Sequence, residues 1–101
     1  MLDHAREALK MVEGKERSDL KEDRMLELAL VRLIEIIGEA AVKVSSEVKE
    51  KYGELPWPQI IAMRNRLIHG YNSVDFDILW DTIEDDIPRL ISLFEKVIDK
   101  I

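Results

Sequence analysis

An all-α fold, an up-down bundle of four to five helices, is predicted by three features of this 101-residue sequence. Apolar residues recur at spacings of three and four, the period of an amphipathic helix. The alternation of apolar and polar residues that would indicate strands is missing. Hydrophobic residues make up 47% of the chain, which is enough for a globular core. We expect one domain over residues 1–101, since a chain of this length rarely holds two.

The first helix is predicted by apolar residues in a 3-4-3 rhythm. They are Leu2, Ala5, Leu9 and Val12. Gly14 follows this pattern directly, and glycine is the residue that most often ends a helix. We therefore expect a short helix before Gly14.

The second predicted helix begins near Leu20 and runs to about Val44. Asp19 and Glu22 have the spacing of a capping box, in which Asp19 caps the helix and Glu22 contacts its first backbone N–H. The apolar residues of this helix form two adjoining stripes that include Met25 as a core residue, so the helix should be buried on more than one side. Small residues follow at Gly38, Ala40 and Ala41, where another helix can approach closely.

Three further helices are predicted in the second half of the chain. Ser45 or Ser46 can cap a short third helix that Gly53 closes. Pro58 suits the first position of a fourth helix, which we expect to stop at Gly70. The fifth helix should begin after Asp75, which can cap it. Pro88 lies in the interior of this helix and should kink it.

The amount of apolar helix surface on so short a chain predicts a homodimer, because small domains with wide apolar faces often need a partner. The alternative is a monomer in which the fifth helix covers helices two and four.

Charge and composition limit the classes of partner. The net charge of −6 argues against broad nucleic-acid binding, which needs clustered lysine and arginine. Any such function would depend on a local basic cluster. The chain has no cysteine, so it has no disulfide framework and no thiolate metal site, as suits a reducing cytoplasm. Its apolar runs are far shorter than the ~20 residues that cross a bilayer, and we expect no membrane association and a cytoplasmic location.

The local basic cluster lies in residues 63–71, MRNRLIHGY. Asn65 and His69 are four positions apart and share a helix face. Arg64 and His69 differ by about 140° around the helix, but the long arginine stem can still reach the same cleft. His69 lies near the negative end of the helix dipole, which favours imidazolium, while the arginines favour the neutral ring. A histidine in this balance can exchange a proton near neutral pH.

These residue types suit the cleavage of a phosphodiester by a neighbouring 2′-hydroxyl. A histidine transfers the proton, and an arginine holds the phosphate and its developing charge. The reaction requires no metal and no cofactor, and RNA rather than DNA supplies the hydroxyl. The spacing alone favours a purely structural alternative, with His69 as a helix cap, the arginines on a solvated face and Tyr71 in the core.

The chain also resembles a known family, the HepT-like branch of the HEPN domain ribonucleases. The family motif is Arg, four residues, His, any residue, Tyr, and residues 64–71 match it throughout. Further matching segments occur in the family's order over roughly residues 20–95. They are Ile37-Gly38-Glu39-Ala40-Ala41, Pro56-Trp57 with Ile60-Ile61, Val74-Asp75 with Asp77 and Trp80, and Asp86-Ile87-Pro88.

The resemblance implies roles for individual residues. Arg64 and His69 would be the catalytic pair, and Asn65 would orient them. Two copies of the motif would face each other across a dimer cleft and meet one RNA strand. Tyr71 would be the position to which a nucleotidyltransferase antitoxin of the MNT type attaches AMP, and this added phosphate would block the substrate site. We also assign Arg66 and Tyr71 to substrate binding.

Other features have competing interpretations. Asp77, Asp81 and Asp85 lie one turn apart and could bind a hard cation, but acids at a helix start also form an ordinary solvated face, so we assign no metal site. Trp57 and Trp80 fit core positions, although either could stack on a base. Glu39 could form a salt bridge with an active-site arginine.

Two other functions compete with a ribonuclease toxin. One is a non-catalytic helical adaptor that presents substrate to a nucleotidyltransferase, which the acidic charge favours. The other is a purely structural helical dimer, which leaves the charged motif unexplained.

Overall fold

The computed structural model describes residues 1–67 and 75–99, and these contain helices and no strand. In chain order the elements are α1 (Leu2–Met11), α2 (Asp19–Glu22), α3 (Arg24–Lys43), α4 (Ser46–Lys51), α5 (Trp57–Leu67), α6 (Phe76–Asp81), a π-helical segment (Thr82–Asp86) and α7 (Ile87–Asp99). The predicted all-α class is confirmed. None of the helices in these two ranges is long and apolar enough to span a membrane.

The long helix α3 is central to the fold. It packs against α1 on one side and α5 on the other, and α1 also contacts α7. Leu30, Ile34 and Ile37 are fully buried where α3 meets these neighbours. One continuous apolar cluster results, and it holds the start of α5 through Trp57 and Ile60. Burial of this kind stabilises a helix far more than its intrinsic propensity does.

The start of α3 differs from the prediction. The helical conformation is interrupted at Asp23, whose backbone is extended (φ −112°, ψ 94°). The Asp23 carboxylate accepts a hydrogen bond from the Leu26 backbone N–H at 3.1 Å. Asp19 instead accepts from the Glu16 backbone N–H at 2.7 Å, in the turn before α2. The predicted capping box at Asp19 and the continuous helix from Leu20 are therefore wrong, because a second aspartate four residues later supplies the cap.

Met25 was predicted to be a core residue, and this prediction is also wrong. Its side chain is 81% exposed, since the first turn of α3 places it on the side of the helix that faces away from α1 and α5. Met63, in contrast, is buried as its position on α5 predicts.

The helix starts later in the chain agree more closely with the sequence. Ser45 caps α4, accepting from the Val48 backbone N–H at 3.3 Å. Pro58 lies in the first turn of α5, one residue after its start. Asp75 caps α6 by accepting from the backbone N–H groups of Asp77 and Ile78 at 2.9 and 3.1 Å, as predicted.

Pro88 lies in the first turn of α7, directly after the π-helical segment. Proline lacks a backbone N–H and its ring collides with the carbonyl one turn earlier in a regular α-helix. A wider π-helical turn relieves this conflict, so α6 and α7 follow one another without a loop. The segment also presents Asp86 toward α5, which matters for the site described next.

Candidate active site

Arg64 lies on α5 where this helix crosses α3 most closely. A Cβ atom built on Gly38 of α3 would come within 2.6 Å of the Arg64 Cβ and 2.9 Å of its Cδ. Real Cβ atoms do not approach other carbons so closely, so only glycine fits at position 38 without a shift of α5. The predicted close approach of another helix at the small residues of α3 is therefore confirmed at Gly38. The arginine stem is supported by α3 along most of its aliphatic length.

The Arg64 guanidinium forms hydrogen bonds with the side chain of the next residue. Its Nε and Nη2 both donate to the Asn65 Oδ1, at 3.3 and 3.2 Å. The amide oxygen thus occupies the Nε–Nη2 edge of the guanidinium. This contact agrees with the predicted role of Asn65 as the residue that orients the arginine, although the role itself stays a prediction.

Arg64 and Arg66 differ in their acidic neighbours. Arg66 Nη2 forms an ion pair with Asp86 Oδ2 at 2.8 Å, which ties the last turn of α5 to the π-helical segment. No carboxylate within residues 1–67 and 75–97 pairs with Arg64. An anion can therefore reach the Arg64 guanidinium without first displacing an acid from it, whereas at Arg66 it competes with Asp86.

The remaining motif residues, His69 and Tyr71, lie outside the described residues, as does the predicted helix end at Gly70. The convergence of Arg64 and His69 and the role of Tyr71 therefore stay predictions. The described part of the site is the end of α5 with Arg64, Asn65 and Arg66 exposed or partly exposed side by side.

Glu39 does not pair with an active-site arginine. Its carboxylate lies 3.6 Å from Arg32 Nη1, on the same helix, and Arg32 also pairs with Glu35 at 3.2 Å. Position 39 points away from α5, about 100° around α3 from Gly38, so Glu39 and Arg64 occupy different sides of the helix.

The acids at the start of α6 are engaged with a basic residue that the sequence did not single out. Arg17, in the turn before α2, contacts Asp77 at 2.7 Å and Asp81 at 2.9 Å. The hydrogen bond that Arg17 donates to Asp77, together with the charges of both acids, raises the pKa of Arg17. The described residues contain no cluster of three histidine, cysteine or acidic side chains with metal-ligand geometry.

A shallow groove lies between α5 and α7 beside Arg66. Its floor is apolar and includes Ile60, Met63 and Leu90, while Arg66 and Arg89 stand at its rim. No local pattern in the sequence indicates this groove, because the helices that form its two walls are far apart in the chain. Trp57 and Trp80 do not line it: Trp57 is buried and donates from Nε1 to the Tyr52 carbonyl at 3.2 Å, and Trp80 packs against the core.

The protein is all-helical, and a cluster of polar and basic residues lies at the end of α5. Comparison with known proteins then gives the family. The sequence matches the Ribonuclease HepT-like family over residues 1–97, and the chain belongs to that family.

Individual relatives extend over most of the chain. The sequence is 37% identical over 100 residues to a Thermococcus cleftensis protein named "Probable ribonuclease HepT", covering 95% of this chain and 91% of that protein. It is 38% identical over 92 residues to a candidate RNase of Caldanaerobacter subterraneus, covering 91% of this chain and 82% of the relative. A candidate RNase of Methanocaldococcus jannaschii is 32% identical over 101 residues, with 100% of this chain and 84% of the relative covered. No solved structure matches the sequence.

Proposed function

We propose that this protein is a metal-independent endoribonuclease and the toxin component of a toxin–antitoxin system. Membership of the Ribonuclease HepT-like family and relatives that are named as ribonucleases support the RNA substrate and the enzyme class. We further propose that it acts in the cytoplasm and folds as one domain over residues 1–101.

The single observation that carries the proposal is the presentation of Arg64. Its stem rests on Gly38, its guanidinium is hydrogen-bonded to the Asn65 side chain, and no described carboxylate neutralises it. A guanidinium in this state can hold an RNA phosphate and stabilise the charge that develops on it during cleavage. The motif places His69 five residues further on as the proton-transfer group.

The proposed reaction needs only the RNA and these side chains. The 2′-oxygen attacks the adjacent phosphorus as it loses its proton, and the bond from phosphorus to the 5′-oxygen of the next nucleotide breaks. His69 transfers the proton to or from the reacting oxygens, while Arg64 holds the phosphate. The products are a 2′,3′-cyclic phosphate and a 5′-hydroxyl, with no water consumed in this step.

Regulation is proposed to act at the same site. Two copies would bring their motifs together across a dimer cleft, and a nucleotidyltransferase antitoxin of the MNT type would attach AMP to Tyr71. The added phosphate would repel an RNA phosphate and occupy its space. Arg66, held by Asp86, and Tyr71 would contact the substrate outside the cleaved bond.

Purified protein incubated with single-stranded RNA in EDTA tests the proposal. We expect cleavage by the wild type, loss of cleavage in Arg64→Ala and His69→Ala, and cyclic phosphate ends on the products. Arg6→Ala is the matched control, because Arg6 is an exposed arginine whose ion pair with Glu95 lies on α1 and α7. It should cut RNA at the wild-type rate.

RNA left intact by folded wild-type protein would contradict the proposal. It would favour the non-catalytic adaptor of a nucleotidyltransferase instead, for which the net charge of −6 is the supporting observation. Co-purification with a nucleotidyltransferase does not separate the two functions, since both include such a partner.

A further inference from the structure

The groove between α5 and α7 combines an apolar floor with a basic rim, and we name it the α5–α7 groove. Ile60 and Met63 of α5 and Leu90 of α7 form its floor, while Arg66 and Arg89 lie at its rim. Its volume is about 340 Å³, with the open space at its mouth included. Small-molecule sites have volumes of about 300–1,000 Å³, so the α5–α7 groove fits one nucleotide-sized group and not the full width of a partner helix.

Two half-buried residues keep apolar surface of the α5–α7 groove open to solvent. They are Pro56, directly before α5, and Leu93, about one turn after Leu90 on α7. The floor beneath them is closed, since Ile60, Met63 and Leu90 are only 2% to 4% exposed. A flat nucleobase can cover Pro56 and Leu93 and remove their apolar surface from water, while the polar edge of the base stays solvated.

Arg89 is an exposed residue whose guanidinium has no acidic partner among the described residues. None of the ion pairs formed within residues 1–67 and 75–97 includes it. The nearest acid along the chain, Asp86, pairs instead with Arg66 at 2.8 Å. Arg89 can therefore bind an anion directly, and a guanidinium binds a phosphate through two parallel hydrogen bonds.

The α5–α7 groove lies at the same end of α5 as Arg64, the proposed phosphate-binding residue of the reaction. Arg64 and Arg66 are two positions apart, which is about 200° around the helix. Arg64 thus lies against α3, whereas Arg66 lies on the side of α7. A strand that contacts both residues crosses the end of α5, so a nucleotide in the α5–α7 groove lies outside the cleaved bond.

The surface on the other side of Arg66 is acidic. Asp81 and Asp85 line a second depression there, also beside Arg66. These carboxylates repel a phosphate, whereas Arg89 attracts one, so a strand at Arg66 is directed along α7. The same charges would attract an acidic peptide, but the position next to Arg64 favours RNA.

We propose that the α5–α7 groove binds one nucleotide of the RNA outside the cleaved bond, with its base on the apolar floor and its phosphate on Arg89. This inference rests on the proposed function, because it assigns the path of the strand that is cut at Arg64. It makes Arg89 a substrate-binding residue that acts away from the reacting atoms.

The affinity for single-stranded RNA tests the role of Arg89 separately from cleavage. His69→Ala serves as the background that keeps the RNA intact, and fluorescence anisotropy of a labelled strand gives the dissociation constant. We expect Arg89→Ala to raise this constant about 10-fold and to reduce the slope of log affinity against log salt by about 0.7. Arg89→Lys should retain the slope, because it keeps the charge. Arg6→Ala removes the same charge from the contact of α1 with α7, where Arg6 pairs with Glu95, and should leave the affinity unchanged.

A strand that lacks one base tests the apolar floor. An abasic nucleotide is placed at each position around the cleaved bond in turn, and we expect weaker binding at one position outside that bond. Leu93→Ser should weaken binding of the intact strand and remove the effect of the abasic nucleotide at that position, since both changes delete the same contact. Val48→Ser, at an exposed residue of α4 outside the α5–α7 groove, is the matched control and should preserve the effect.

Unchanged RNA affinity in folded Arg89→Ala and Leu93→Ser variants would overturn the proposal, with folding checked by circular dichroism. Loss of binding to a labelled peptide of alternating aspartate and leucine in the same variants, with RNA affinity unchanged, would make a protein segment the occupant instead. Protein that retains His69 and binds RNA through the α5–α7 groove without cutting it would refute the proposed function and leave the groove assignment in place.

Discussion

Gly38→Ala is a perturbation whose effect on activity should exceed its effect on stability. The added methyl group would lie 2.6 Å from the Arg64 Cβ and 3.1 Å from its Cγ, so α5 or the arginine must move by on the order of 1 Å to reach ordinary contact distance. A substitution at position 38 therefore tests whether the position of Arg64 matters for cleavage.

Opposing contributions keep the stability change small. Alanine is a better helix former than glycine by about 1 kcal/mol in a helix interior. Overpacking costs about 1–3 kcal/mol, so the net loss of unfolding free energy is about 2 kcal/mol at most. A displacement of on the order of 1 Å at a catalytic group, in contrast, can reduce the rate about 100-fold.

The assay is single-turnover cleavage of a labelled RNA in EDTA, with thermal unfolding of the same preparations. Gly53→Ala is the matched control, because the nearest atom to its new methyl group is the Glu50 carbonyl at 3.4 Å, an ordinary contact. A Gly38→Ala variant that is destabilised yet cuts at the wild-type rate would show that Arg64 does not need its support on α3.

Further predictions concern caps, charges and the core. Asp23→Ala removes the hydrogen bond from the Leu26 backbone N–H and should lower the free energy of unfolding by about 1 kcal/mol. Urea denaturation measures this loss, and no change would show that this cap contributes little. Asp86→Asn should release Arg66 and lower the KM for RNA several-fold. Stability should change by less than about 1 kcal/mol, since both partners of this ion pair are about half exposed. An unchanged KM would remove Arg66 from the substrate site. Leu30→Ala should cost about 2–5 kcal/mol by urea denaturation, because this fully buried side chain leaves a cavity, and a loss under 1 kcal/mol would contradict its central position.

Local signals in the sequence predicted most of the helices but not the start of α3. Ser45 and Asp75 stand alone as caps before apolar periods, and both act as predicted. Asp19 and Asp23 are competing candidates for the helix cap, and the capping-box pattern is more complete at Asp19. Which aspartate caps α3 depends on Leu20, which is fully buried when the helical conformation is interrupted after α2. This tertiary contact is not visible in a local sequence pattern.

The exposure of Met25 likewise depends on tertiary contacts. Its spacing continues an apolar stripe, but a stripe does not reveal which neighbour covers it. Here α1 and α5 cover one side of α3 and leave the other side open in a single copy.

The residue types of the candidate site were taken from the sequence, whereas the contacts around them are visible only in the structure. The spacing of Arg64, Asn65 and His69 suggested phosphodiester chemistry, and the small residues of α3 suggested a close helix approach. The support of Arg64 by Gly38 and the pairing of Arg66 with Asp86 join residues 26 and 20 positions apart in the chain. Such pairs follow from helix packing, which a single sequence does not specify.

In the proposed mechanism a 2′-hydroxyl of RNA is the nucleophile and no metal takes part. The most direct test uses an RNA whose cleavage position has been mapped, resynthesised with one 2′-deoxy nucleotide on the 5′ side of that bond. In EDTA we expect the all-RNA strand to be cut there and the substituted strand to stay intact at that bond. Cleavage of the substituted bond at the original rate would contradict the mechanism.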